Sequence, residues 1–478
     1  MRNNQSTLTA DLAIGLTAGI LIPLGLPPLG LWILSLVGLT ILFSHNQKHS
    51  GKYQFIGALG FSIGYIVSGQ LWSFCSQFVL TDASSVEKLS AAVTTFIAPL
   101  AILLTILVIY PFLRRILNIP PYSVASCLLF SSCWILFEIV YCSLCYTTPL
   151  LISGYALLGL PSDGMVPVMG IFGSSLFLAM VASLLASIFR KIWHKRAKET
   201  LPYLLPTLCV TLLLPPAISR IEWTWPYDLR PFNYVMQVRT GADVTLDLWE
   251  MVALPPPRLA IVGGVRGNIE RPELFLQIPK LNQTSQTAYL AQFSTGGSHC
   301  PDFFCSFGEG EGCISEIAKK ASSYVDPSSC DLSLVPISQQ SATRHPAADA
   351  YRITILSPLS DSRPFLAASE ATGSELLVVF DSTVEGQVFR EWMIRADRAR
   401  ALETGRPLLR YSNIGISAEI DHLGRIQSRF LPEQDLVTGT IQPMSGKTPY
   451  MYFGPFAPLS FIVLVLVVFF YRRLFQTL

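Results

Sequence analysis

Charge is what this sequence has least of. Only 14% of its 478 residues are Asp, Glu, Lys or Arg, against about 25% in an ordinary soluble domain. That scarcity excludes a wholly soluble chain. Disorder is excluded as well, because 51% of the residues are hydrophobic and the mean hydropathy is +0.45. A net charge of +2 is too small to draw in a nucleic acid. The ten cysteines are too loosely spread for a small disulfide scaffold or a standard zinc framework. Six of them, Cys75, Cys127, Cys133, Cys142, Cys145 and Cys209, lie in apolar stretches as small buried hydrophobes. The first apolar run lacks the basic segment and small-residue cleavage site of a signal peptide.

What is present is a series of long apolar runs. A bilayer core takes about 20 apolar residues per helix. Runs of that order cover 10–27, 29–44, 53–74, 89–113, 121–145, 164–189, 201–218 and 456–471, which predicts about eight spans. The basic residues set their direction. Arg2 precedes the first run, and His45, Lys48, His49 and Lys52 follow the second. Arg114 and Arg115 follow the fourth, and Arg190, Lys191, Lys195, Arg196 and Lys198 follow the sixth. Arg472 and Arg473 close the last. If the spans alternate, all of these fall on one side, the cytoplasmic one by the positive-inside rule. Residues 222–450 then face the other compartment, which in a bacterium is the periplasm.

The expected organisation is a membrane bundle over 1–221, an extramembrane domain over 222–450 and a last span with its tail over 451–478. The middle part carries both signs of charge, Pro and Gly clusters and short β-like runs: Tyr234–Val238, Leu259–Val262, Arg352–Leu356, Leu376–Phe380 and Ser417–Ile420. Gln387–Thr404 reads as a helix with Ala, Met and Leu on one face. Strands alternating with helical segments predict an α/β, layered domain. Ser322–Arg344, rich in Ser, Pro and Gln, reads as a long loop. Cys300, Cys305, Cys313 and Cys330 predict one or two disulfides of open connectivity in an oxidising compartment, rather than a zinc site with His299.

Several blocks then occur in a meaningful order. Arg400-Ala-Leu-Glu-Thr-Gly-Arg-Pro-Leu-Leu-Arg410 leads to Asn413-Ile-Gly415 and Asp421-His-Leu-Gly424, and Gly446-Lys-Thr-Pro-Tyr450 enters the last span. In the apolar part stand Gly25-Leu-Pro-Pro-Leu-Gly-Leu-Trp32, Phe61-Ser-Ile-Gly64, Gly69 and Trp72. Trp134, Glu138, Pro149, Gly154-Tyr155 and Gly170-Ile-Phe-Gly173 follow. This layout resembles the apolipoprotein N-acyltransferase family over most of the chain. The resemblance implies a polytopic helical membrane bundle with a nitrilase-like α-β-β-α sandwich inserted before the last helix. It also implies transfer of an acyl chain from a phospholipid to the N-terminal amine of a diacylated lipoprotein, with no cofactor and no metal, at the bacterial inner membrane.

The family works through a Glu–Lys–Cys triad: a general base, an oxyanion-stabilising lysine and a nucleophile that carries the acyl group as a thioester. In register with Phe380-Asp-Ser-Thr-Val-Glu-Gly386, the nucleophile position falls on Leu356, with Ser357 one residue on. Ser306-Phe-Gly-Glu309 resembles the family's supporting-glutamate motif, which puts Pro301 where the lysine belongs; Lys280 and Lys319 do not fit. The general base matches Glu250 in Asp247-Leu-Trp-Glu250, before Ala253-Leu-Pro-Pro256; the other reading uses Asp302 and Glu309. The candidate catalytic residues are therefore Glu250, Glu309 and Ser357, with Leu356 in the nucleophile register. An acyltransferase, active or altered, and a non-catalytic relative that binds lipid or lipoprotein both follow from this pattern.

Outside the triad, Arg400, Glu403, Arg406, Arg410 and Asn413 read as a buried network holding helix to sheet. Glu138, with Trp134 one turn before it, is an intramembrane carboxylate: a functional site or an interhelical tie. Trp223, Trp225 and Tyr227, like Tyr452, Phe453 and Phe456, fit an aromatic belt at the membrane interface.

Overall fold

The apolar runs become helices, and the charge-bearing middle of the chain becomes two sheets. The computed structural model describes residues 2–48, 51–79, 93–144, 151–194, 197–227, 231–237, 259–265, 288–293, 303–306, 330–334, 351–356, 373–381, 390–412, 415–431 and 436–476. Its longer helices are α1 (Arg2–Leu24), α2 (Trp32–Lys48), α3 (Lys52–Val79), α4 (Ala98–Ile116), α5 (Val124–Leu144), α6 (Ile171–Trp193), α7 (Ala197–Ile218), α8 (Arg390–Thr404) and α9 (Phe456–Gln476). The chain divides into two units, Met1–Glu222 with Tyr452–Leu478, and Trp223–Met451.

The first unit is helical and makes this a membrane protein. Among the described residues, five stretches are long and apolar enough to cross a bilayer: Thr95–Ile116, Val124–Ser143, Ile171–Trp193, Leu201–Ile218 and Phe456–Arg473. Leu8–Leu24 is a shorter apolar helix. The run over 164–189 is not one helix. It holds a 3₁₀ turn at Pro161–Met165 and a short helix at Val166–Met169, and α6 starts only after Gly170, whose φ of +67° breaks the helical path.

Close approach of backbones holds α1 to α3. A Cβ added at Gly15 would lie 2.1 Å from the Gly57 carbonyl oxygen, and one at Gly19 would lie 2.3 Å from that of Phe61. From the other side, Gly60 and Gly64 would meet the Leu12 and Leu16 oxygens at 2.5 and 2.4 Å. Each helix thus offers two glycines four residues apart, the pattern that lets membrane helices pack by van der Waals contact where no hydrophobic force separates lipid from leucine. A buried His45–Asp11 pair, 3.1 Å apart, adds a polar tie between α2 and α1.

The second unit contains a five-stranded sheet ordered β12 (Leu436–Ile441), β2 (Phe232–Gln237), β3 (Leu259–Val265), β4 (Ala288–Phe293) and β5 (Phe303–Ser306). A six-stranded sheet runs β11 (Ile426–Phe430), β10 (Ser417–Ile420), β9 (Leu408–Ser412), β8 (Leu376–Asp381), β7 (Tyr351–Leu356) and β6 (Cys330–Leu334). The strands β2–β3–β4 and β7–β8–β9 are parallel, and α8 is the crossover from β8 to β9. A short pair, β1 (Thr224–Pro226) with β13 (Met444–Gly446), zips the two ends of the domain together. Every β-like run named above lies at least partly in a strand, and the described helix starts at Arg390. The stretch Ser322–Arg344 is a correction: it contains β6, which pairs antiparallel with β7. Its alternating Leu332 and Leu334 supply the two-residue period a strand needs.

One face of the six-stranded sheet carries Leu356, Leu377, Val379, Leu408, Ala418 and Ile420 against Ile394 and Ala401 of α8. From the other face, Glu419 accepts a hydrogen bond from the Tyr234 hydroxyl at 2.8 Å, tying sheet to sheet. Helix, sheet and sheet thus follow in that order. No described helix covers the outer face of the five-stranded sheet.

Two predictions follow from this packing. Replacing Gly15 or Gly64 by Leu should force α1 and α3 apart at a cost of at least about 1–3 kcal/mol. The expected outcome is less monodisperse protein in detergent and a lower unfolding midpoint, whereas Ile14→Ala, at a lipid-facing position, should leave both unchanged. The second concerns Glu419, whose carboxyl is pushed above its usual range by burial and by neighbouring Asp421, against the opposing pull of the Tyr234 hydrogen bond. The folded state then holds this proton more tightly than the unfolded one. Its contribution to stability is full below the ordinary carboxylate range and is lost as pH rises through the shifted value. Thermal unfolding of Glu419→Gln should lack that loss while keeping an acceptor for Tyr234; identical pH profiles would refute the assignment.

Candidate functional site

In open α/β sheets, ligands gather at the carboxyl ends of parallel strands. β7 and β8 end side by side, with Leu356 opposite Val379. Leu356 is fully buried and belongs to the apolar core beneath α8. Thr354, two residues earlier on the same face, is also buried. Leu356, the residue the sequence places in the expected nucleophile register, is thus a hydrocarbon side chain engaged in packing. Ser357, Glu250, Glu309, Asp302, Pro301, Lys280, Lys319, His299, Cys300, Cys313 and Asn413 lie outside the described residues.

Strand pairing brings one further residue to this place. β6 runs antiparallel to β7 and sets Cys330 opposite Ile355, next to the strand end. Sequence reasoning passed over Cys330 because 26 positions separate it from Leu356; only the sheet closes that gap. Cys305 sits in β5 opposite Tyr289 of β4. Among the described residues, no three His, Cys, Asp or Glu side chains gather as a metal site.

The Arg-rich block is a scaffold beside this strand end. Arg410 on β9 donates to both carboxylate oxygens of Asp397 on α8, at 3.1 and 3.0 Å, with both side chains buried. Arg400 pairs with Glu403 within α8 at 3.2 Å, also fully buried. Arg406 donates to the backbone oxygens of Ser374 and Gly446, and Thr448 donates to that of Glu403. These bonds join helix, sheet and the strand that leaves the domain. Gly405 permits the turn between them: its φ is +61°, and a Cβ there would sit 2.5 Å from Thr224 Cγ2.

In the bundle, Glu138 is buried and accepts from the backbone N–H and the hydroxyl of Ser153, at 2.8 and 2.6 Å. Trp134 donates to the same hydroxyl at 3.0 Å, and Tyr65 donates to the Leu151 oxygen at 2.5 Å. Gly154 donates its N–H to Ser175 Oγ at 2.9 Å. Glu138 is thus the tie between α5 and the buried segment that follows it. Of the aromatics expected at an interface, Trp225, Tyr452, Phe453 and Phe456 are exposed, while Trp223 and Tyr227 are partly buried.

A family description, the apolipoprotein N-acyltransferase N-terminal domain, matches residues 18–184. The apolipoprotein N-acyltransferase of Methylococcus capsulatus is 24% identical over 512 residues, covering 96% of each chain. Those of Pseudomonas aeruginosa strain LESB58 and of Coxiella burnetii are 25% and 22% identical, covering 95% of this chain and 94% and 98% of their own.

Proposed function

We propose that the chain is a divergent member of the apolipoprotein N-acyltransferase family and that it engages a phospholipid and a diacylated lipoprotein at the bacterial inner membrane without forming a thioester at position 356. In this reading an eight-span bundle carries a periplasmic, nitrilase-like domain over 222–450, and the protein is a non-catalytic relative that keeps the family's lipid-binding role. The observation that carries it is the burial of Leu356 in the core under α8. The two-step transfer needs a nucleophile that can reach an acyl carbonyl, and a packed isobutyl group supplies none.

A second reading, an active acyltransferase with a displaced nucleophile, is favoured by one observation: the backbone pairing of Cys330 with Ile355 beside that strand end. A thiol is intrinsically nucleophilic, so this position is a better substitute than the hydroxyl of Ser357, which needs an activating base. Glu250 or Glu309 would be that chemistry's base.

Purified, reduced protein incubated with labelled phospholipid separates the two. The expected outcome is bound lipid, no hydroxylamine-sensitive adduct, and no rescue of a strain depleted of the authentic acyltransferase, because loss of a nucleophile costs orders of magnitude in rate. A thioester on Cys300, Cys305, Cys313 or Cys330, or an ester on Ser357, would overturn it. For the topology, reporter fusions at Lys195 and near Gly386 should give opposite readouts. The same readout at both refutes the periplasmic placement.

A further inference from the structure

Two arginines end helices at the basic face of the bundle, one over Tyr122 and the other on Gln47 of α2. Arg190, in the last turn of α6, places its guanidinium carbon 5.9 Å from the centre of the Tyr122 ring. Arg114, in the last turn of α4, donates to Gln47 Oε1. Gln47 is itself buried and fixed, donating from Nε2 to the Tyr110 hydroxyl and to Ser126 Oγ, the latter at 2.7 Å. Tyr122 is anchored in turn: its hydroxyl donates to the Ser44 oxygen at 3.2 Å and its ring meets Phe43 edge-on. Both guanidinium groups lie within electrostatic reach of the Tyr122 hydroxyl.

Among the described side chains, no carboxylate lies within ion-pair distance of Arg114 or Arg190: Asp11 is engaged by His45, Glu138 by Ser153 and Asp163 by the Gly159 N–H. Ser44, which accepts from Tyr122, and Gln47, which accepts from Arg114, stand three residues apart on α2, so both cations are tied to the same turn of that helix. An anion beside that turn would be attracted by both. Planar guanidinium forks match a phosphate in geometry as well as charge. The ends of apolar helices lie at the depth of the lipid phosphates, where basic pockets between helices take anionic headgroups.

We propose that Arg114 and Arg190, spaced by Tyr122, bind the phosphate of an anionic phospholipid in the leaflet at the basic face of the bundle. Exposed Arg115 and neighbouring Lys191 add to the attraction without being held in place. The site is independent of the acyl-transfer reading, since it uses no residue of the extramembrane domain.

The test uses the full-length protein in phosphatidylcholine nanodiscs, with and without phosphatidylglycerol, and measures by mass spectrometry the phosphatidylglycerol that stays bound after extraction. Retention should fall about fivefold in Arg190→Gln, the factor expected for one basic residue removed near an anionic surface. Arg190→Lys, which keeps the charge, should retain most of it, so a general folding defect would show as loss in both variants and refute the site. Arg114→Lys should weaken retention, and Arg115→Gln should weaken it less than Arg190→Gln does. Equal retention by the wild type and Arg190→Gln overturns the proposal. So does displacement of the lipid by inorganic phosphate alone, which would assign the cations to a free anion.

Discussion

The buried ion pair between Arg410 and Asp397 is the contact on which the second unit depends. It joins β9 to the crossover helix α8 in the apolar layer, where both partners are shut off from water. Breaking such a pair by removing one partner costs about 3–5 kcal/mol, because the other charge is stranded. The cost makes the arrangement selective rather than strongly stabilising: the helix can dock on the sheet in the one register that pairs these groups. With α8 seated, Arg406 can reach back to β13, and the strand leaving the domain is held against the strand entering it.

The bundle solves a different problem with different means. Lipid surrounds it, so exclusion of apolar surface from water cannot bring its helices together. Contact comes from the absence of side chains at Gly15, Gly19, Gly60 and Gly64, and from polar groups that have no alternative partner in hydrocarbon. Glu138 illustrates the second device. Its carboxylate satisfies both donors of Ser153 and so fixes a segment that would otherwise bring unpaired backbone into the bilayer.

Beside this network, the last described residue of β7 is Leu356, a hydrocarbon side chain. The core under α8 runs from Leu356 to Ile420. Such a scaffold can stand whatever chemistry its strand ends carry, because a fold does not dictate a function. The scaffold's ionic network serves packing, and packing persists whether or not a thioester forms beside it.

Much of this was legible along the chain, because hydropathy and charge are local sums. The apolar runs and basic loops identified a membrane bundle, and the Arg400–Arg410 block announced its buried network before any contact was known. The tertiary structure alone decided which residues meet. Tyr234 and Glu419 are 185 positions apart, and Cys330 comes to Ile355 only through an antiparallel pairing inside a stretch whose serines and prolines read as loop. Arg190 and Arg114 look like ordinary members of two basic loops until α6 brings one to Tyr122 and α4 brings the other to Gln47. A sequence states what each residue can donate, accept or bury. Pairings between distant segments depend on where the chain turns back and at which register its strands align, and those are properties of the packed whole.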